Sequence, residues 1–439
     1  MIKYGCCGSD GDGKAMASMT SGLHDNLTAD LAEYKEGFTL PRRFYFDPEY
    51  FDIEMSEIFQ DWWFQVRHIS EFPEPGSYSI VQIGQAQIII VRGKDDKLRA
   101  FHNVCRHRGN PLCYEKEGKV SQFLCPYHHW NFSLDGKLKA APFMADDFVK
   151  SDHALLECHV VAANGFVFVN PTLDENPKDF DSFFAPFEGT MEFFKTDKLR
   201  LVERRQYPIE ANWKAAIENL LECYHCLPAH PQFVAVESRD SILAIGAGSE
   251  AQASKASYEK FKPKLKAFEA RAKELGMPLG EFRDHTPEFG LRTNNRALLG
   301  SGRKTGTESG EFIADKLIGG LTESDFGSSR FCFGTMSFGY IYADHVVILS
   351  YMPRSVGETM VETSWFVADN ASDLTESQKE ELTWLWHHTT EQDGALAENQ
   401  VPGISNPNYI PGPLSKMEAG NSSFCKWYAD RMKSIAATS

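Results

Sequence analysis

Cys105-Arg106-His107-Arg108-Gly109 and Cys125-Pro126-Tyr127-His128-His129-Trp130 decide how this chain reads. As spacing they are Cys-x-His, seventeen residues, then Cys-x-x-His. Each half offers one thiol and one imidazole, so two short loops each supply a mixed pair of metal donors. Two cysteines and two histidines would also satisfy a tetrahedral structural zinc. Zinc sites usually keep their cysteines together and their histidines together, whereas here the two alternate. Two thiolates on one iron and two imidazoles on the other is a donor set for a 2Fe–2S centre. Neutral imidazoles remove negative charge from such a centre and raise its potential. The expected ligands are Cys105, His107, Cys125 and His128, and His129 is expected to stay out.

The flanks agree. Pro126, Tyr127, Gly109 and Trp130 sit where a Rieske centre keeps its turn and aromatic cover, and the stretch closely resembles the Rieske family. The remaining composition bounds the rest. A chain of 439 residues is long enough for two or three domains with sizeable cores. Hydrophobic residues make up 42%, an ordinary globular share. No apolar run approaches the length of a membrane span. A net charge of −16 argues against a nucleic acid or an anionic membrane as partner. The ten cysteines show no framework spacing, so a reducing cytoplasm and no disulfide are expected, with Cys223-x-x-Cys226 read as incidental. Residues 1–19 are polar and rich in Gly and Ser, read as a disordered leader with Met16 or Met19 as alternative starts.

Taken in order, residues 20–58 read as a helical segment, with Leu27–Tyr34 at helical spacing and Asp47-Pro48 opening a second helix through Phe59. From Trp62 the period becomes two. Ser77–Ile83, Gln87–Arg92, Leu98–Val104 and Gly165–Asn170 read as strands, and Pro171–Asp179 as a linker. A strand around Leu201–Ile209 leads to a helix capped by Asn212. Residues 246–310 read as an excursion holding a charged helix, Ser257–Leu275, and then Pro- and Gly-rich loop, with Gly300–Gly306 a plain loop. Arg330–Ala368 reads as a meander turning at Asp344, Pro353 and Gly357, followed by helices over Thr375–Gln400 and Phe424–Ile435.

A second constellation lies at Glu218-Asn219-Leu220-Leu221-Glu222-Cys223-Tyr224-His225-Cys226-Leu227-Pro228-Ala229-His230. Pro228 bends the chain, so two histidines five apart can converge, and two His plus one carboxylate leave open positions on Fe(II). Taken alone, incidental surface histidines at a helix end are the simpler reading. The segment closely resembles the Glu-x3-Asp-x2-His-x4-His signature of Rieske non-haem iron oxygenase α subunits. Glu218, His225 and His230 fall at matching positions, and Glu222 stands where aspartate is usual. The resemblance implies that His225 and His230 bind mononuclear Fe(II). It implies that Glu222 bridges His225 to a Rieske histidine of a neighbouring subunit without binding metal. The third ligand would be a late helical aspartate, and Thr390-Glu391-Gln392-Asp393 resembles that stretch, which points to Asp393 with Glu391 as rival. The glutamate at 222 and the phrase Glu222-Cys223-Tyr224-His225-Cys226 are similar to the branch oxidising quaternary ammonium compounds, such as glycine betaine demethylase and carnitine oxygenase.

The resemblance runs from Phe44 to Tyr428, includes Asn408–Ser415, and is weakest over residues 246–310. It implies an α+β fold: a Rieske antiparallel β domain over 59–172, then a catalytic domain over 173–439 with a curved antiparallel sheet flanked by helices, against which 20–58 packs. It also implies a head-to-tail homotrimer. The expected reaction is hydroxylation of an N-methyl group with loss of formaldehyde, using O2. A separate flavin and iron–sulfur reductase oxidising NAD(P)H is expected, because no Rossmann glycine fingerprint occurs in the chain. Phe331, Phe333, Phe338, Tyr340, Tyr342 and Trp365 are candidate cage residues for a permanent cation. Arg330 could meet a carboxylate, and a surface position is the simpler reading for it. A ring-hydroxylating dioxygenase subunit and a Rieske electron carrier are the alternatives.

Overall fold

In the computed structural model, residues 26–237, 242, 255–280, 282–300 and 302–438 are described. The leader expected over 1–19 lies outside them. The first sheet is built from β1 (Phe64–His68), β2 (Ser77–Ile83), β3 (Ala86–Arg92), β4 (Leu98–His102), β5 (Glu117–Lys119), β9 (Glu157–Ala163) and β10 (Phe166–Asn170). Its order is β1-β10-β9-β4-β3-β2-β5, antiparallel throughout. Successive residues of β3 face opposite ways, as the strand period demands. Ile88 and Ile90 join the main core, whereas Ile89 and Val91 join a smaller core with Phe101, Cys105, Cys125 and Trp130. That split explains an unbroken apolar run in a single short strand. A small sheet of β6 (Phe123–Leu124), β7 (Asn131–Phe132) and β8 (Leu138–Ala140) closes the second core.

The second sheet runs β11-β17-β16-β15-β14-β13-β12, also antiparallel. Its strands are β11 (Leu199–Ile209), β12 (Phe282–Thr286), β13 (Gly290–Leu298), β14 (Gly327–Cys332), β15 (Ser337–Ile341), β16 (Val346–Ser355) and β17 (Glu358–Ala368). Two expectations are corrected here. The stretch read as Pro- and Gly-rich loop contains the hairpin β12–β13. Its strands are polar because Asp284 pairs with Arg292 and Asn294 bonds Thr190, so the apolar alternation that marks a strand is missing. Pro353 is not a turn but lies within β16, opposite Thr359 and beside a register shift. A residue without N–H is tolerated where the ladder is already broken.

Helices Lys255–Glu274, Glu376–Ile404 and Ala419–Thr438 occupy the three later stretches read as helical. Thr375 opens the second with a reciprocal bond to Gln378. A helix over Phe180–Phe193 follows the linker, where none was read. Asp179 caps it and Phe183, Phe184 and Phe187 are buried.

The helix Trp213–Leu220, capped by Asn212, is held from both sides. Glu54, in the N-terminal helical segment, accepts from Trp213 Nε1 at 2.6 Å, Lys214 Nζ at 2.5 Å and the Tyr428 hydroxyl. Glu54 and Lys214 are both fully buried. One turn on, Glu218 accepts from the Tyr45 hydroxyl at 2.8 Å, and Cys425 Sγ lies 3.5 Å away. Burial lifts its carboxyl to about 7, outweighing the Tyr45 bond.

A carboxyl raised in the folded state is neutral without penalty below its unfolded value. It loses stability as pH climbs through the folded one. Glu218→Gln, which stays neutral, should therefore gain on the parent protein between pH 5 and pH 8, by up to about 3 kcal/mol. Urea denaturation at the two pH values measures this, and parallel pH profiles would contradict a carboxyl neutral at pH 5.

Candidate metal centres

The first centre sits on two loops of the same construction. One leaves β4, and the other joins β6 to β7. In the first, Gly109 N donates to Cys105 O and Cys105 N to Asn110 O, both at 2.9 Å. In the second, His129 N donates to Cys125 O at 2.9 Å and Cys125 N to Trp130 O at 2.8 Å. Gly109 (φ 75°) and His129 (φ 58°) occupy the same left-handed position of the two loops. His129 is thus a backbone element of its loop, and its side chain is exposed. Cys105 and Cys125 are buried. Burial raises the Cys105 thiol, and the neighbouring Cys125 thiol adds to the effect. The rings of His107 and His128 lie 4.6 Å apart, and His107 stacks on Trp130 at 4.9 Å. His128 Nδ1 is buried without a hydrogen-bond partner. An orphaned imidazole nitrogen beside buried thiols and a second imidazole fits a 2Fe–2S cluster.

The second centre joins two helical stretches far apart in sequence. After Leu220 the chain turns through Glu222 and Tyr224 into the short helix Cys226–Ala229, with His225 before it and His230 after it. The helix Glu376–Ile404 brings Asp393, and Asn219 Nδ2 ties the two stretches by donating to the Asp393 carbonyl at 3.3 Å. His225 Nε2 lies 3.0 Å from His230 Nε2 and 3.2 Å from Asp393 Oδ1, and His230 Nε2 lies 2.9 Å from Asp393 Oδ1. The three ligand atoms are within 4.8 Å of one another. Each ring has its other nitrogen fixed. His225 Nδ1 is hydrogen-bonded to the Glu222 carboxylate, and His230 Nδ1 donates to Gln392 Oε1 at 2.8 Å. Gln392 is held in turn by Gln232 at 3.0 Å. Such contacts turn both Nε2 atoms to a common point, which fits one iron ion.

Gln392 and Gln232 were not singled out from sequence. Gln392 precedes Asp393 in the quoted phrase, but a glutamine gives no sign of which ring it meets. Glu391 does not join the group: it faces His387 at 3.6 Å and is 53% exposed. Burial opposes protonation of His225, but the bonds to Asp393 and Glu222 outweigh it and raise the ring to about 9. Burial opposes ionisation of Asp393, and the bonds to both histidines hold its carboxyl below the usual range.

A cavity of about 380 Å³ opens from these three residues. Of the aromatic residues expected around a substrate, Phe331, Phe338 and Tyr340 line it, with Trp386 added. Tyr340 packs on Trp386 at 4.0 Å between ring centres. Phe333, Tyr342 and Trp365 are not among the lining residues. Phe333 packs on Phe168 and Phe187, Tyr342 stacks on His345, and Trp365 is fully buried. Arg330 is not a surface residue: it lines the cavity and pairs with buried Glu237.

The expectation of no disulfide is also corrected. Cys223 is bonded to Cys226. The turn between Glu222 and His225 brings their Cα atoms to 4.8 Å, within bridging reach. A three-residue spacing carries no such information without the turn.

Residues 62–159 match the Rieske [2Fe-2S] domain family and residues 196–434 the ring hydroxylating alpha subunit family, catalytic domain. The chain belongs to the α subunits of the Rieske non-haem iron oxygenases, enzymes that carry a 2Fe–2S cluster and a mononuclear iron. It is 35% identical to the glycine betaine monooxygenase oxygenase subunit of Chromohalobacter salexigens, over 94% of this chain and 92% of that one. The protein of the same description from Pseudomonas aeruginosa is 34% identical over 92% of each chain. A solved quaternary ammonium Rieske monooxygenase superposes with a TM-score of 0.66 at 23% identity, covering 92% of this chain and 97% of that one. Naphthalene 1,2-dioxygenase from Rhodococcus gives 0.67 at 19% identity, covering 94% and 98%. These two likenesses describe the shared fold alone.

The bridge between Cys223 and Cys226 is directly checkable. Protein denatured without reductant and alkylated should leave these two cysteines unmodified and joined in one peptide, and alkylation of both would show that the bridge is absent.

Proposed function

We propose that this chain is the oxygenase component of a system that hydroxylates an N-methyl group of a small quaternary ammonium compound, glycine betaine or a close analogue. The observation carrying this reading is the 34–35% identity, over more than nine tenths of the chain, to subunits named for glycine betaine. The Tyr340–Trp386 couple in the cavity supports it, because aromatic faces attract a permanent cation by about 0.5–2 kcal/mol each.

In this reading Cys105, His107, Cys125 and His128 hold the 2Fe–2S cluster, and His225, His230 and Asp393 hold Fe(II). Iron held there would supply the activation of O2. Gln392 and Glu222 orient the two imidazoles, and Phe331, Phe338, Tyr340 and Trp386 wall the cavity against water. The methyl group takes one oxygen atom and the other leaves as water, with two electrons and two protons consumed. The N-hydroxymethyl ammonium then releases formaldehyde, the demethylated amine and a proton. Both electrons come from a separate NAD(P)H-oxidising reductase of the flavin and iron–sulfur kind. The chain assembles head to tail as a homotrimer in the cytoplasm, with the Rieske domain (59–172) of one subunit facing the catalytic domain (173–439) of the next. Glu222, bonded to His225, carries the electron across that boundary to a neighbour's cluster histidine.

Purified oxygenase with a compatible reductase, NADH and glycine betaine should release one formaldehyde per NADH under coupled turnover. A diol from naphthalene, with no formaldehyde from any betaine, would replace this reading by ring dihydroxylation. In Glu222→Gln both metal centres should stay filled and the cluster reducible, while single-turnover re-oxidation slows by roughly 100-fold or more. Unchanged re-oxidation would remove Glu222 from the electron path.

A further inference from the structure

The cavity carries charge as well as aromatic surface, and its cations are not equivalent. Arg296 is committed: its Nε and Nη2 both donate to Asp325, and its Nη1 donates to Ser329 Oγ. Arg330 is only partly engaged. Its Nη2 donates to Glu237, and its Nε–H is buried without a partner. A guanidinium has five N–H donors in a fixed fork. The side chain of Arg330 is 29% exposed, whereas that of Glu237 is 2% exposed. Glu237 also lines the cavity, and its bond to Nη2 leaves the other donors of the Arg330 fork for a guest.

The placement of Arg330 gives it a reference to the iron site. It lies on β14 directly opposite Tyr340 of β15. Tyr340 packs on Trp386, and Trp386 precedes Asp393 by seven residues on one helix, about two turns. The candidate iron ligands, the aromatic couple and the guanidinium thus line one cavity, with Arg330 beside Tyr340. The Tyr340 hydroxyl registers both ends. Burial raises it to about 12, with Arg330 opposing and Asp393 adding to the rise.

We propose that Arg330 is the anchor for the carboxylate of a zwitterionic substrate and sets the preference of the site for short betaines over ammonium compounds without a carboxylate. Glu237 is a positioning residue that holds the guanidinium and offsets its charge in the empty cavity. The carboxylate of the substrate takes the free donors of the fork, a geometry that lysine does not reproduce. This rests on the quaternary ammonium reading above.

The test compares glycine betaine with choline, the same trimethylammonium group carrying CH2OH in place of the carboxylate. Formaldehyde release by holoenzyme and reductase gives kcat/KM for each compound. In Arg330→Met the betaine-to-choline ratio of kcat/KM should fall about 10–100-fold, chiefly through KM for betaine, with the Rieske spectrum and iron content unchanged. Arg330→Lys keeps the charge and should give an intermediate ratio. It also decides the matter if Arg330→Met fails to fold. Formaldehyde from both compounds with an unchanged ratio in the variants overturns the Arg330 assignment alone. Formaldehyde from neither compound in the parent enzyme overturns the parent reading as well.

Discussion

The contact on which the catalytic half depends is the buried pair of Glu54 and Lys214. Neither side chain reaches solvent, and the carboxylate also receives Trp213 Nε1 and the Tyr428 hydroxyl. Two charges are worth removing from water only where geometry and hydrogen bonds are nearly complete, and stripping one partner from such a pair costs about 3–5 kcal/mol. The contact joins three parts of the chain: the N-terminal helical segment, the helix Trp213–Leu220 and the C-terminal helix Ala419–Thr438. That central helix runs straight into Glu222 and His225. Fixing its start from two sides fixes the direction in which its far end delivers the candidate iron ligands.

From that end the structure is a succession of satisfied polar groups. Glu222 takes His225, Gln392 takes His230, and Gln232 takes Gln392. Two imidazoles and a carboxylate with their donor atoms within 4.8 Å of one another could hold a common ion. The cluster loops achieve the same with less: two backbone bonds per loop, a left-handed residue at the fifth position, and an apolar core beneath the two thiols.

The superpositions separate fold from specificity. A quaternary ammonium oxygenase and a naphthalene dioxygenase match this chain with TM-scores of 0.66 and 0.67. What distinguishes cavities built on one scaffold is the set of side chains on the strands beneath, since function resides in sites carried by folds. Here those strands carry Thr293 and Asn295 on β13, Arg330 on β14 and Tyr340 on β15. A cavity floor with amide, hydroxyl and guanidinium groups is suited to a charged guest.

The sequence by itself determined the chemistry: alternating Cys and His donors in two loops, and two histidines after a capped helix. It also determined the strands with clear alternation and the helices with clear caps. Those signals are local, since a turn, a cap or a period of two is written within a few residues. The tertiary structure decided what depends on partners distant in the chain. The polar hairpin β12–β13 is a strand pair because Arg292 and Asn294 find Asp284 and Thr190. Asp393 rather than Glu391 meets the histidines because helix packing turns one side of Glu376–Ile404 inward. Cys223 and Cys226 are joined because the helix ends between Leu220 and His225. Arg330 lies in the cavity because β14 pairs between β13 and β15. Each of these outcomes turns on which side of an element faces the core, and that is set by the packing of whole elements, which brings together residues as far apart as Asn294 and Thr190 or His225 and Asp393.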